Sequence, residues 1–108
     1  MNEESLLTAI AGSTFVVHVA SPFFFSSDAE KLITPAVNGT LFAMRACKAA
    51  GVRRIVITSS CAALQFPLEE DKPADRTYDE TMWTNPERPG LNNYFKSKFF
   101  AEKAAWDF

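Results

Sequence analysis

Tyr94 and Lys98 stand four residues apart in the stretch Tyr94-Phe95-Lys96-Ser97-Lys98. On a helix that spacing puts both side chains on one face, where they can converge on one ligand. A phenol and an ammonium brought together in this way are parts of a proton-transfer site. Thirty-four residues before Tyr94, the β-branched run Arg54-Ile55-Val56-Ile57 ends in the hydroxyl cluster Thr58-Ser59-Ser60. A second such run ends in Val19-Ala20-Ser21-Pro22, whose small residues let the backbone approach a bound molecule. Ligands of open α/β sheets bind at the C-terminal ends of the strands, where both clusters would lie. Singly these features are common: hydroxyls after a strand serve turns, and Tyr and Lys share a face on many solvated helices. The conjunction carries the reading. The remaining chemistry-bearing residues point elsewhere. His18 lies mid-strand and reads as a buried, hydrogen-bonded histidine, while Glu69, Glu70, Asp71, Asp75, Asp79 and Glu80 read as a solvated surface. No Cys/His group has zinc spacing, and the sequence contains neither a P-loop nor a G-x-G-x-x-G motif.

The elements that would position these residues follow from pattern. In Glu3–Ala11, Leu6, Leu7 and Ile10 share a helical face, and Gly12 is a natural stop. Thr14–Ala20 and Arg54–Ser59 are nearly continuous in apolarity, which predicts strands covered on both faces, as in a parallel sheet. Between them Val37, Leu41, Met44 and Cys47/Lys48 recur at helical spacing. Ser26-Ser27-Asp28 reads as a turn or cap followed by a helical stretch, Pro35 is then suited to a first helical position with Thr34 as the candidate cap, and Gly51 closes the helix. Residues 67–90 form a loop-rich, acidic segment, and a final helix runs over Asn92–Asp107 with Asn92 or Asn93 as cap. Strand–helix–strand alternation of this kind specifies α/β architecture with a parallel sheet. Two strands are few for such a sheet, so residues 1–108 read as one partial domain, an internal piece of a larger one.

Composition narrows the partners. A chain of 108 residues with 47% apolar and 22% charged residues is globular rather than disordered. Its net charge of −2 offers no basic field for a nucleic acid. The apolar stretch Phe15–Phe25 contains His18, Ser21 and Pro22 and is too short to span a bilayer, which excludes a membrane segment there. Cys47 and Cys61 do not make a disulfide framework, and unpaired thiols fit a cytoplasmic setting. Ten of the fourteen aromatic residues are Phe, three of them consecutive at Phe23–Phe25. That is much ring surface for a small chain, and it predicts a missing partner, either the remainder of the domain or a second subunit.

The stretches FVVHVASP, PAVNGTLFAMRACKAAGVRRIVITSSCAA, YDETMW and YFKSKFFAEKAAWDF, together most of residues 14–108, resemble the extended branch of the short-chain dehydrogenase/reductase superfamily, the NAD-dependent epimerase/dehydratase family. Within it they are most similar to the group of dihydroflavonol reductase, anthocyanidin reductase and cinnamoyl-CoA reductase. The resemblance implies a partial Rossmann-type doubly wound parallel sheet flanked by helices, an NAD(P)-binding domain without the N-terminal glycine-loop strand and without the C-terminal substrate domain. It implies an oxidoreductase that reduces a small-molecule carbonyl with NADP, or with NAD as the alternative cofactor. The family's serine, tyrosine and lysine fall on Ser60, Tyr94 and Lys98. Tyr94 would be the general acid, Lys98 would favour its phenolate and hold the cofactor ribose, and Ser60 would orient the carbonyl oxygen. Ala20, Ser21 and Pro22 match the strand end that lines the cofactor, and Asn38 matches a helix asparagine that supports the site. Other readings within the resemblance are an epimerase, a dehydratase, a hydroxysteroid dehydrogenase, or a truncated, non-catalytic piece of such an enzyme.

Overall fold

A computed structural model describes residues 2–24, 26–75 and 77–108, which leaves Phe25 of the phenylalanine triplet outside the described residues. Helix α1 covers Glu3–Ile10. The Asn2 side chain caps it by accepting from the Ser5 amide at 2.8 Å, Glu3 and Glu4 complement the positive end of its dipole, and Gly12 leaves it at a φ of 78°. Strand β1 (Phe15–His18) follows, then helix α2 (Glu30–Ala49) and strand β2 (Arg54–Ile57). The strands pair in parallel, with Phe15 opposite Arg54 and His18 opposite Ile57. Ile10 of α1 packs with Ala46 and Cys47 of α2, and Leu6, Val16, Val52 and Ile55 close around them. Cys47 is buried, Cys61 is exposed, and neither is bridged.

The sheet departs from the sequence reading in one respect. Both strands alternate between exposed and half-buried residues. Val16, His18, Ile55 and Ile57 turn inward, while Phe15, Val17, Val19 and Val56 are 54–66% exposed. Expected burial on both faces is therefore corrected to burial on one. The apolar outer face has the composition of a covered surface, but no described residue lies on it to exclude water.

Helix α2 departs in two. It begins at Glu30 rather than Pro35, and Pro35 sits within it, so Thr34 is not its cap. An interior proline loses one backbone hydrogen bond and costs about 3 kcal/mol. The preceding turn survives because Leu32 is only 1% exposed, because the amides of Leu32 and Ile33 both reach Ala29 O, and because Asp28 Oδ1 accepts from the Glu30 amide at 3.1 Å. The buried stripe is Leu32, Ala36, Thr40, Ala43 and Cys47, one position off the expected Val37–Leu41–Met44 line, whose residues are half-buried. Small side chains on the inner line let helix α3 (Asn93–Trp106) approach α2 closely. At the other end, Gly51 (φ 68°) and the bonds Gly51 N–Lys48 O and Val52 N–Cys47 O stop α2 in a left-handed cap.

After β2, Ser60 opens a 3-10 turn over Cys61–Ala63, against which α3 packs. The acidic loop beyond it includes a second 3-10 turn, Glu69–Asp71. It is tied down by Thr84, which is 1% exposed. The Thr84 hydroxyl donates to Ala62 O at 2.8 Å and accepts from the Phe66 amide at 3.2 Å, while its amide donates to Ala63 O at 2.7 Å. Asn92 then caps α3, accepting from the Phe95 amide at 3.1 Å.

The two kinds of apolar position are expected to respond oppositely in urea denaturation. Leu32→Ala should lose about 2–5 kcal/mol of stability, whereas Val17→Lys should change it by no more than about 0.5 kcal/mol. Equal losses would mean that the outer sheet face is covered in solution.

Candidate active site

Because β1 and β2 are parallel, both hydroxyl-bearing segments leave the sheet at the same edge. The Thr58 amide donates to His18 O at 2.9 Å, extending the pairing to the point where the chains diverge. Beside this edge a cleft of about 470 Å³ is lined by Ala20, Ser21 and Pro22 from the end of β1 and by Asn38, Gly39 and Phe42 from α2. The structure thus brings together the four residues expected to line and support a cofactor. Gly39 adds open space, since nothing lies within 4 Å of the position that a β-carbon would take there.

Ala20 and Ser21 also line a narrower crevice shared with His18, Thr58, Ser59, Lys98 and Glu102. Lys98 is the unusual member. It is only 8% exposed, and among the described residues no carboxylate pairs with it. Burial pushes its amine below the ordinary lysine value, because a low-dielectric setting disfavours the charged form. Its Nζ lies 5.6 Å from the centroid of the Tyr94 ring, a cation–π distance. His18 is half-buried rather than fully enclosed. Burial, and to a lesser degree the Lys98 charge, hold its imidazole below the usual histidine range.

Tyr94 is half-buried in the first turn of α3. Its ring meets Phe23 edge-on at 5.4 Å and Phe95 at 6.1 Å. It borders a separate hollow of about 210 Å³ with Phe24, Ser26, Leu32 and Asn93. Asn93 fastens that hollow, donating through Nδ2 to Ser26 O at 3.0 Å and Ser27 O at 3.1 Å. Ser60 is half-buried, and its Oγ accepts from the Ala62 amide at 3.2 Å, capping the 3-10 turn. That bond occupies a lone pair and leaves the hydroxyl hydrogen to donate. Ser60 and Tyr94 therefore flank the Lys98 crevice without lining it. The crevice itself is completed by Ser59, one of the strand-end hydroxyls, and by Glu102, which sequence reasoning did not single out: Ser59 Oγ donates to Glu102 Oε2. The available signal was the helical period, since Glu102 continues the Tyr94–Lys98 face by one further turn.

Parallel strands with a cleft at their C-terminal ends, crossed by a helix that buries a lysine four residues after a tyrosine, define part of a Rossmann-type α/β domain. Residues 1–106 match the model of the 3-beta hydroxysteroid dehydrogenase/isomerase family, and the chain belongs to that family. The expected reductase group is found among its relatives. The chain is 46% identical to dihydroflavonol 4-reductase of Zea mays, over 95% of this chain and 30% of that protein. It is 39% identical to an anthocyanidin reductase of Vitis vinifera, over 99% of this chain and 33% of that one. Among solved structures it is similar to yeast methylglyoxal/isovaleraldehyde reductase Gre2 complexed with NADPH, with a TM-score of 0.76 and 35% identity, covering 98% of this chain and 34% of that one. The chain thus spans about a third of the length of these relatives.

The site predicts a pH dependence that the single histidine makes readable. The folded-state value of His18 lies below its ordinary 6.5, so the unfolded chain binds more protons between the two values, and stability falls as pH drops through that window. Glu69, Asp75 and Asp79 are held low by hydrogen bonds from Lys72, Thr77 and Thr81 respectively, so their contribution is lost only at more acid pH. Denaturant midpoints measured from pH 7.5 to 5 should fall for the unaltered chain and stay flatter for His18→Gln. Identical slopes would remove His18 from the buried crevice.

Proposed function

We propose that this chain carries the catalytic centre of an NADPH-dependent reductase acting on a small-molecule carbonyl. The observation that carries the proposal is Lys98, a buried ammonium without a carboxylate partner, beside Tyr94 at the ends of two parallel strands. Such a group is stabilised by a ligand that brings hydroxyl or anionic oxygens to it. The open cleft along Ala20, Ser21, Pro22 and Asn38 provides the adjoining space, so the residues present fit a nicotinamide dinucleotide. NADPH, which the Gre2 structure contains, is preferred to NAD on that ground. When bound, the cofactor supplies hydride.

The chain's own residues do the rest. Ala20, Ser21 and Pro22, with Asn38 in support, bound the cofactor cleft. Lys98 serves the cofactor's hydroxyls and favours a phenolate at Tyr94 electrostatically. Tyr94 gives its proton to the carbonyl oxygen, and Ser60 donates a hydrogen bond that orients the same oxygen. A second reading, oxidation of a hydroxyl with Tyr94 as base, uses the same residues in reverse, and the hydroxysteroid dehydrogenase description of the family favours it next. The uncovered valines of the sheet support a protein partner, either further polypeptide of the same domain or a second subunit. No helix of the described residues is long and apolar enough to cross a membrane, and two unbridged cysteines are what a reducing cytoplasm would leave.

Fluorescence titration with NADPH and single-turnover reduction of a carbonyl substrate test the assignment. Lys98→Ala should weaken NADPH binding by roughly 10–100-fold, the range of charge-assisted hydrogen bonds. Tyr94→Phe should leave affinity nearly intact and slow reduction by about 10²–10⁴-fold. Equal, small effects from the two substitutions would overturn the reading.

A further inference from the structure

Helix α3 carries two Lys/acid pairs at the same spacing, and they behave differently. Lys103 pairs with Asp107 one turn on, as a lysine and a carboxylate at i,i+4 ordinarily do. Lys98 has Glu102 at the same offset, and no ion pair forms between them. The Glu102 carboxylate is engaged elsewhere. Its Oε2 accepts from Ser59 Oγ, and its Oε1 accepts from Trp106 Nε1 at 3.4 Å. The long Trp106 contact is exposed and weak. The Ser59 bond is part-buried and joins the end of β2 to the middle of α3 across forty-three residues of chain.

We propose that Ser59 is a positioning residue: by holding the Glu102 carboxylate, it denies Lys98 its i,i+4 partner and keeps the ammonium available to Tyr94 and to a bound cofactor. The inference rests on the role given to Lys98 above and adds the device that preserves it. A Lys98–Glu102 ion pair would neutralise the field that Tyr94 and a cofactor are to use, and it would occupy the lysine's donors. The charged and titratable groups facing Lys98 are few. His18 faces it from β1, and Tyr94 and Glu102 belong to its own helix. α2 and the end of β2 present only the hydroxyls of Thr40, Thr58 and Ser59. The 3-10 turn packed on α3 carries Cys61, which is exposed. Among the described residues Glu102 is thus the one carboxylate in the crevice with Lys98, and the Ser59 hydroxyl decides where it goes.

The lysine side-chain amines can be titrated by NMR in the 108-residue chain, with the Lys98 signal identified by its loss in Lys98→Met. Ser59→Ala releases the carboxylate, and the Lys98 midpoint should rise by about half a unit or more as the ion pair forms. Glu102→Gln keeps a hydrogen-bond acceptor for Ser59 without the charge, and should leave the Lys98 midpoint near that of the unaltered chain. Ser59→Ala combined with Glu102→Gln should abolish the rise, which a general loosening of the helix would not do. An unchanged midpoint in Ser59→Ala, or the same rise in the double variant, would overturn the proposal. If Ser59→Ala does not fold, Glu102→Gln decides alone, since a fall of half a unit or more there would mean that the carboxylate already serves Lys98. None of these readings uses cofactor, so failure to bind NADPH would strike the proposed function and leave this result standing.

Discussion

An ammonium taken out of water loses hydration that a protein must replace or tolerate, and Lys98 stands in that position, enclosed on α3 with no carboxylate of the described residues paired with it. Much of the fold serves that placement. α3 lies close enough to α2 to enclose the lysine because the facing line of α2 is Ala36, Thr40 and Ala43 rather than larger residues. On α3 itself, Ser97 and Ala101 are the buried neighbours. Ser97 directs its hydroxyl back to Tyr94 O at 2.7 Å, so it leaves no unsatisfied group in the interface. Close packing fixes the helix against translation, and so fixes where the stem of Lys98 delivers its charge.

Polar ties hold the surrounding segments to the same helix. Asn92 and Asn93 set its first turn, one by capping and the other by binding the loop after β1. Ser59 joins its middle to the end of β2 through Glu102. Thr84 threads the long acidic loop onto the 3-10 turn that packs beneath α3. The Asn93 and Ser59 ties join a loop and a strand end directly to α3, the Thr84 tie acts through the turn packed on it, and none of these joins the outer sheet face. The molecule is therefore tightly specified around the crevice and open on the other side of the sheet, where Phe15, Val17 and Val56 meet solvent.

How much of this was legible depends on whether local chemistry or tertiary packing made the decision. The cap at Asn92 or Asn93, which the structure resolves to Asn92, and the stops at Gly12 and Gly51 are legible because capping and left-handed backbone are local matters, and the two parallel strands are legible from their β-branched runs. Pro35 was misread because a proline's local preference for a helix start yielded to the burial of Leu32 one turn earlier. The inner line of α2 was displaced by one residue because apolarity was weighed above size, whereas close helix packing selected alanine and threonine. Both-sided burial of the strands was inferred from their composition, which does not say whether a covering layer is among these residues. At the site, Lys98 and the strand-end residues Ala20, Ser21 and Pro22 were visible as types at a spacing. The engagement of Glu102 by Ser59 depends on two segments forty-three residues apart meeting in space, and no short pattern announces it.

The central claim is that Lys98 is buried and reserved for a bound cofactor, and competitive labelling of the six lysines with an amine-selective reagent tests it most directly. Quantified site by site by mass spectrometry, Lys98 should react more slowly than Lys31, whose side chain is 72% exposed. NADPH should then protect Lys98 further while leaving Lys31 unchanged. Labelling of Lys98 at the rate of Lys31, with no protection by NADPH, would contradict the account.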